Sequence, residues 1–127
     1  MSDTTYTRSY TQIQDIPAPD DLVSGWFTAN PINIASDGGL KRGTLLMSNG
    51  DNIFTPAEKA GIANAYELAI LCEDIPDDAT ECAATAYFTG LINGASIILP
   101  YETDSDVHSE LIEAARPALR RSGFTII

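Results

Sequence analysis

The sequence predicts a mainly β domain with one principal helix near its C-terminal end, an α+β chain preceded by an extended N-terminal arm. Three patterns predict it. Short runs of aliphatic, β-branched and aromatic residues recur from residue 44 onward, separated by Gly, Asn, Asp and Pro turns. After residue 104 the apolar period changes to threes and fours, as a helix requires. The opening residues show neither pattern. The resulting division is an arm over 1–36 and a globular domain over 37–127. A chain of 127 residues suits one modest core.

Thr, Ser, Gln and Asp dominate the arm, and Pro17, Pro19 and Pro31 forbid a regular helix there. Within it, Thr4 to Gln14 is rich in residues that favour an extended strand, yet it has no apolar face broad enough to fold alone. Tyr6, Tyr10, Ile13 and Ile16 are anchors that a purely solvating tail does not need, so the segment suits strand addition to another sheet. The candidate binding residues are therefore Thr4, Thr5, Tyr6, Thr7, Arg8, Ser9, Tyr10, Thr11, Gln12, Ile13 and Ile16.

Trp26, Phe27, Ile32 and Ile34 begin the apolar content, and Asp37-Gly38-Gly39 is a turn. Thr44 to Met47 and Asn52 to Phe54 form a hairpin about Asn49-Gly50, the pair that tolerates positive φ. Pro56 to Asn64 is an excursion with room for a helical turn. Tyr66 to Cys72 and Glu81 to Ile92 are strands joined by the polar turn Glu73 to Asp78, and Ile97 to Leu99 is a brief apolar stretch ended by Pro100.

Val107, Leu111, Ile112, Ala115 and Leu119 mark one face of the helix, with Asp104 or Ser105 as its cap. Pro117 lies inside that pattern. It removes the backbone bond to Glu113, which predicts a break or kink near Arg116. Gly123 ends the helical region, and Phe124 to Ile127 is a terminal strand. There is no repeat and no long alternation of strands and helices of the kind that builds nucleotide-binding sheets.

Eighteen acidic against seven basic residues give a formal charge of −11, so the domain's field repels nucleic acid. A protein, a neutral ligand or a cationic surface is the expected partner. No apolar run approaches the roughly 20 residues that span a bilayer, and the polar opening has no charged-then-apolar leader, so the expectation is a soluble, unexported product without a membrane partner. Two cysteines, Cys72 and Cys82, are too few for a disulfide scaffold; a cross-strand pair about Asp77 is the alternative to two buried thiols.

The residues offer little chemistry. The single histidine, His108, stands among Asp104, Asp106 and Glu110, as in a solvated first helical turn. Gly94-Ala95-Ser96 is followed by two isoleucines and is no nucleophile elbow. Asp104 to Asp106 lack the later Gly and Glu of a calcium loop, and Gly38-Gly39 with Lys41 and Arg42 is no phosphate loop. The expectation is a chain with no catalytic residues, no metal and no cofactor.

Taken in order, Gly43-Thr44-Leu45-Leu46-Met47, Leu68-Ala69-Ile70-Leu71, Thr89-Gly90-Leu91, the helix near Glu110 and Gly123-Phe124-Thr125-Ile126-Ile127 resemble the lambda-type phage head decoration protein family over about positions 40–127. The resemblance implies a β-clip-like bent ribbon that forms a homotrimer on the outer surface of an expanded phage head, and so a virion protein made in the bacterial cytoplasm. It implies an arm that adds to a sheet of the major capsid protein, and no active site. Ala69 stands where the family often has Gly, Pro56 to Asn64 is extra length, and Pro117 interrupts the expected helix. The competing expectations are a phage tail or fibre accessory domain that grips a host surface group with Trp26 and tyrosines, and, more remotely, a small enzyme.

Overall fold

The computed structural model describes residues 22–36, 38–48, 50–78 and 81–127. Leu45 and Leu46 are both buried, as are all four residues from Leu68 to Leu71. Alternate side chains of a strand point to opposite faces, so these strands must be covered on both sides. The architecture supplies that cover. Five strands close into a barrel whose outer wall carries a helix.

The strands are β1 (Val23–Ala35), β2 (Leu45–Ser48), β3 (Ile53–Pro56), β4 (Glu67–Leu71), β5 (Glu81–Ile92) and β6 (Phe124–Ile126), and the helix is α1 (His108–Arg121). The hydrogen-bonded order is β1-β3-β2-β4-β5, and a β1–β5 pairing closes the ring. β1 and β3 run parallel, and the other barrel pairs are antiparallel. β6 extends the sheet from the far end of β5, parallel to it, with Gly90 opposite Phe124. Parallel neighbours need a long crossover, which the segment containing α1 provides.

One cluster draws Ile32 and Ile34 from β1, Leu46 from β2, Phe54 from β3, Ala69 and Leu71 from β4, and Ala84 and Ala86 from β5. Every barrel strand contributes, so this is the barrel interior. Its three alanines leave room for Phe54, whose ring meets Phe88 edge-on at 5.7 Å. The second cluster lies outside the wall: Leu45, Leu68, Ile70 and Tyr87 face Ile112, Ala115, Ala118 and Leu119 of α1, with Phe124 and Ile126 of β6.

The hairpin of β2 and β3 forms in the expected place, with Met47 opposite Thr55 and positive φ at Gly50 (99°) and Asn52 (62°). The β4 and β5 strands also match their apolar runs. Of the excursion from Pro56 to Asn64, Pro56 ends β3 and residues 59–64 are a series of turns, with bonds such as Gly61 N–H to Glu58 O (2.9 Å).

Two expectations are overturned. The boundary at 36/37 is wrong, because β1 pairs with β5 from Val23–Ile92 to Ala35–Glu81 and is integral to the barrel. Gly25, Pro31 and an exposed first half hid this strand. Pro31 is tolerated because, among the described residues, β3 flanks β1 only at Asn33 and Ile34, so the missing N–H spoils no ladder there. Only residues 1–21 of the expected arm remain, outside the described residues.

Of the break or kink expected near Arg116, the break is absent: α1 runs as one helix through Pro117. Proline costs about 3 kcal/mol inside a helix, whereas burying Ile112 and Leu119 returns roughly 1.5–3 kcal/mol each. The packing of that face outweighs the lost bond. Gly123 then ends the helix with φ +108°, its N–H donating to Arg120 O, and a Cβ there would lie 2.6 Å from Thr89 Cγ2.

Candidate functional site

Thr4, Thr5, Tyr6, Thr7, Arg8, Ser9, Tyr10, Thr11, Gln12, Ile13 and Ile16 all lie outside the described residues. The structure shows instead the place where that segment joins the domain. Leu22 is buried, 1% exposed, in the cluster under α1. Its carbonyl accepts from Asn93 N–H at 2.8 Å. Asn93 caps a 3-10 turn, Gly94–Ser96, with its side chain accepting from Ala95 N–H. Gly94 N–H donates to Ile127 O at 3.0 Å, so one turn holds both the root of the N-terminal segment and residue 127.

His108 is fastened to this same turn, which corrects the expectation of a solvated residue. Its Nδ1 lies 2.5 Å from Glu102 Oε1, and its Nε2 lies 3.0 Å from Gly94 O. Both side chains of the pair are 21% exposed. A 3-10 turn, Ser105–Val107, capped by Asp104, lifts the chain into α1 and presents the imidazole inward. The carbonyl of Gly94 and the carboxylate of Glu102 raise the imidazole's proton affinity above its ordinary 6.5, against the smaller opposing effect of burial. With both nitrogens engaged, neither faces an open cavity as a general base must.

A second, partly buried polar group centres on Arg42. Its Nη1 donates to Cys72 O (2.8 Å) and to the Tyr87 hydroxyl (2.9 Å), and its backbone N–H donates to Asp74 Oδ1. The guanidinium carbon also lies 5.5 Å from the centre of the Tyr87 ring, so Arg42 ties the β4–β5 connection to the wall. Burial pushes the Tyr87 hydroxyl up and the Cys72 thiol up to about 12. Cys72 and Cys82 are both free, and they belong to opposite faces of the wall.

Exposed apolar side chains include Trp26 on β1 (56% exposed) and Tyr66 before β4 (75%). Tyr66 lines an open cleft of about 440 Å³ with Phe88, Thr89 and Arg121. A wider groove of about 720 Å³ runs past Ser36, Pro56, Lys59 and Tyr101. Among the described residues no group of three His, Cys, Asp or Glu side chains is arranged to hold a metal, and no helix is long and apolar enough to cross a membrane.

Sequence reasoning missed the His108–Glu102–Gly94 contact and the Arg42 cluster, since Gly94 lies 14 positions before His108 and Arg42 meets residues 30 and 45 positions away. Glu102, six residues before His108, was the one local signal. No family model matches the chain, and neither does any curated protein.

Proposed function

We propose that this protein is a capsid decoration protein: a homotrimer on the outer surface of an expanded phage head, whose N-terminal arms add strands to sheets of the major capsid protein. The observation that carries the reading is the closure of the barrel by β1 and β5. From Leu22 onward the sheet completes itself. The segment from Thr4 to Ile16 precedes that ring in the sequence, and its strand-favouring composition with Tyr and Ile anchors suits addition to another sheet. On this reading the long β1–β5 pair is the bent, clip-like ribbon.

The mechanism is attachment without chemistry. Three arms on one trimer make the second and third attachments effectively intramolecular, so weak strands give firm binding. A ligand that binds only the closed, expanded shell stabilises it by mass action. No cofactor, catalytic group, nucleic acid or membrane has a part in it. Deleting residues 1–16 should leave the circular dichroism spectrum of the domain unchanged and abolish co-sedimentation with expanded capsids. Undiminished co-sedimentation would overturn the proposal.

Trp26 and Tyr66 favour a second reading, a tail or fibre accessory domain that grips a host surface group, because both present aromatic faces to solvent. Loss of host-cell binding on Trp26→Ala and Tyr66→Ala, with capsid binding intact, would select it.

A further inference from the structure

The two acceptors around His108 fix its protonation. A neutral imidazole has one N–H and one lone pair. Placed between a carboxylate and a carbonyl, it would point a lone pair at one of them. Satisfying both contacts requires one proton more than neutral histidine and ionised glutamate carry together, whether it rests on Nδ1 or on Glu102 Oε1.

The turn that supplies the carbonyl has three other ties. Gly94 O also accepts from Ile97 N–H, Gly94 N–H binds Ile127 O, and Asn93 N–H binds Leu22 O. We propose that His108 is a proton-operated clasp, which when charged locks the start of α1 to the Gly94–Ser96 turn and through it holds Leu22 and Ile127, and which loosens when the proton leaves.

The groups near the ring agree in sign. Glu102 faces it from the preceding loop, Asp104 and Asp106 stand in the 3-10 turn, and Glu110 stands in the first turn of α1. The Gly94–Ser96 turn and β6 bring no charge, and the nearest basic side chain along α1, Arg116, is about two turns away. All the neighbouring charge therefore favours retention of the proton. The opposing influences are partial burial of the ring and the positive N-terminal end of α1, where a cation is unfavourable.

Because the closed form binds the proton above the ordinary 6.5, the clasp's contribution is complete below about pH 6.5 and fades as pH rises through the raised midpoint. The chain has a single histidine, so its imidazole resonances can be titrated without ambiguity. The midpoint should lie above 6.5, and Glu102→Gln should lower it. Amide exchange protection at Asn93, Gly94 and Ile127, corrected for the intrinsic pH dependence, should fall across that midpoint by about tenfold per pH unit that it exceeds 6.5. In His108→Gln the same protection should be independent of pH. A midpoint at or below 6.5 in the unaltered protein, or equal protection on either side of it, overturns the clasp.

Discussion

Cys72 and Cys82 lie ten positions apart, yet their surroundings have nothing in common. Cys72 N–H donates to Thr85 O, which places Cys72 opposite Thr85 rather than Cys82, and Cys82 in turn stands opposite Ile34 of β1. The Cys72 thiol is buried under Arg42 and Tyr87, and the loss of hydration holds it protonated up to about 12. A thiol is reactive only as the thiolate and only where a reagent can reach it. Alkylation of the native protein at mildly alkaline pH should therefore label the partly exposed Cys82 and spare Cys72, with equal labelling only after denaturation. Peptide mass spectrometry checks this, and early labelling of Cys72 would mean that the Arg42 cluster opens readily. No sequence pattern announces this difference. It depends on which face of the wall each thiol occupies, and so on register.

The individual elements were legible wherever one local pattern decided them. Continuous burial made β4 visible as an apolar run, β5 stood out by its strand-favouring residues, and Asn49-Gly50 marked the turn between β2 and β3. β1 was illegible because its first half is exposed and its outer edge is largely unflanked among the described residues, so neither alternation nor a bar against proline applied. α1 shows the opposite case, where a correct local rule met a larger tertiary contribution. Pro117 is exposed and contributes nothing to the cluster that Ile112, Ala115, Ala118 and Leu119 build. Replacing it restores a backbone donor to Glu113 O without disturbing that packing. Pro117→Ala should thus stabilise the protein by about 1–3 kcal/mol, seen as a higher urea midpoint with an unchanged slope. A loss of stability would show that the ring's stiffening of the unfolded chain matters more than the missing bond.

At the scale of the whole molecule, the wall strands join two apolar clusters into one structure. Leu45 faces the helix and Leu46 the barrel interior, and Ile70 and Leu71 divide in the same way. Tyr87 and Ala86 do so on β5. Neither cluster can open without stripping cover from strands that form the floor of the other, so the domain should unfold in one cooperative step. Phe54 tests this because it belongs to the interior cluster, whereas the buried residues of α1 belong to the other. Phe54→Ala should cost about 3–5 kcal/mol. The decisive feature is where that loss is felt. The far-ultraviolet signal of α1 and the methyl resonances of Ile32 and Leu71 in the barrel interior should be lost at one lowered midpoint, although the substitution lies in the interior cluster. If the helix signal kept its original midpoint while the barrel melted early, the two clusters would be separate units, and α1 with β6 would be a detachable cover rather than part of the fold.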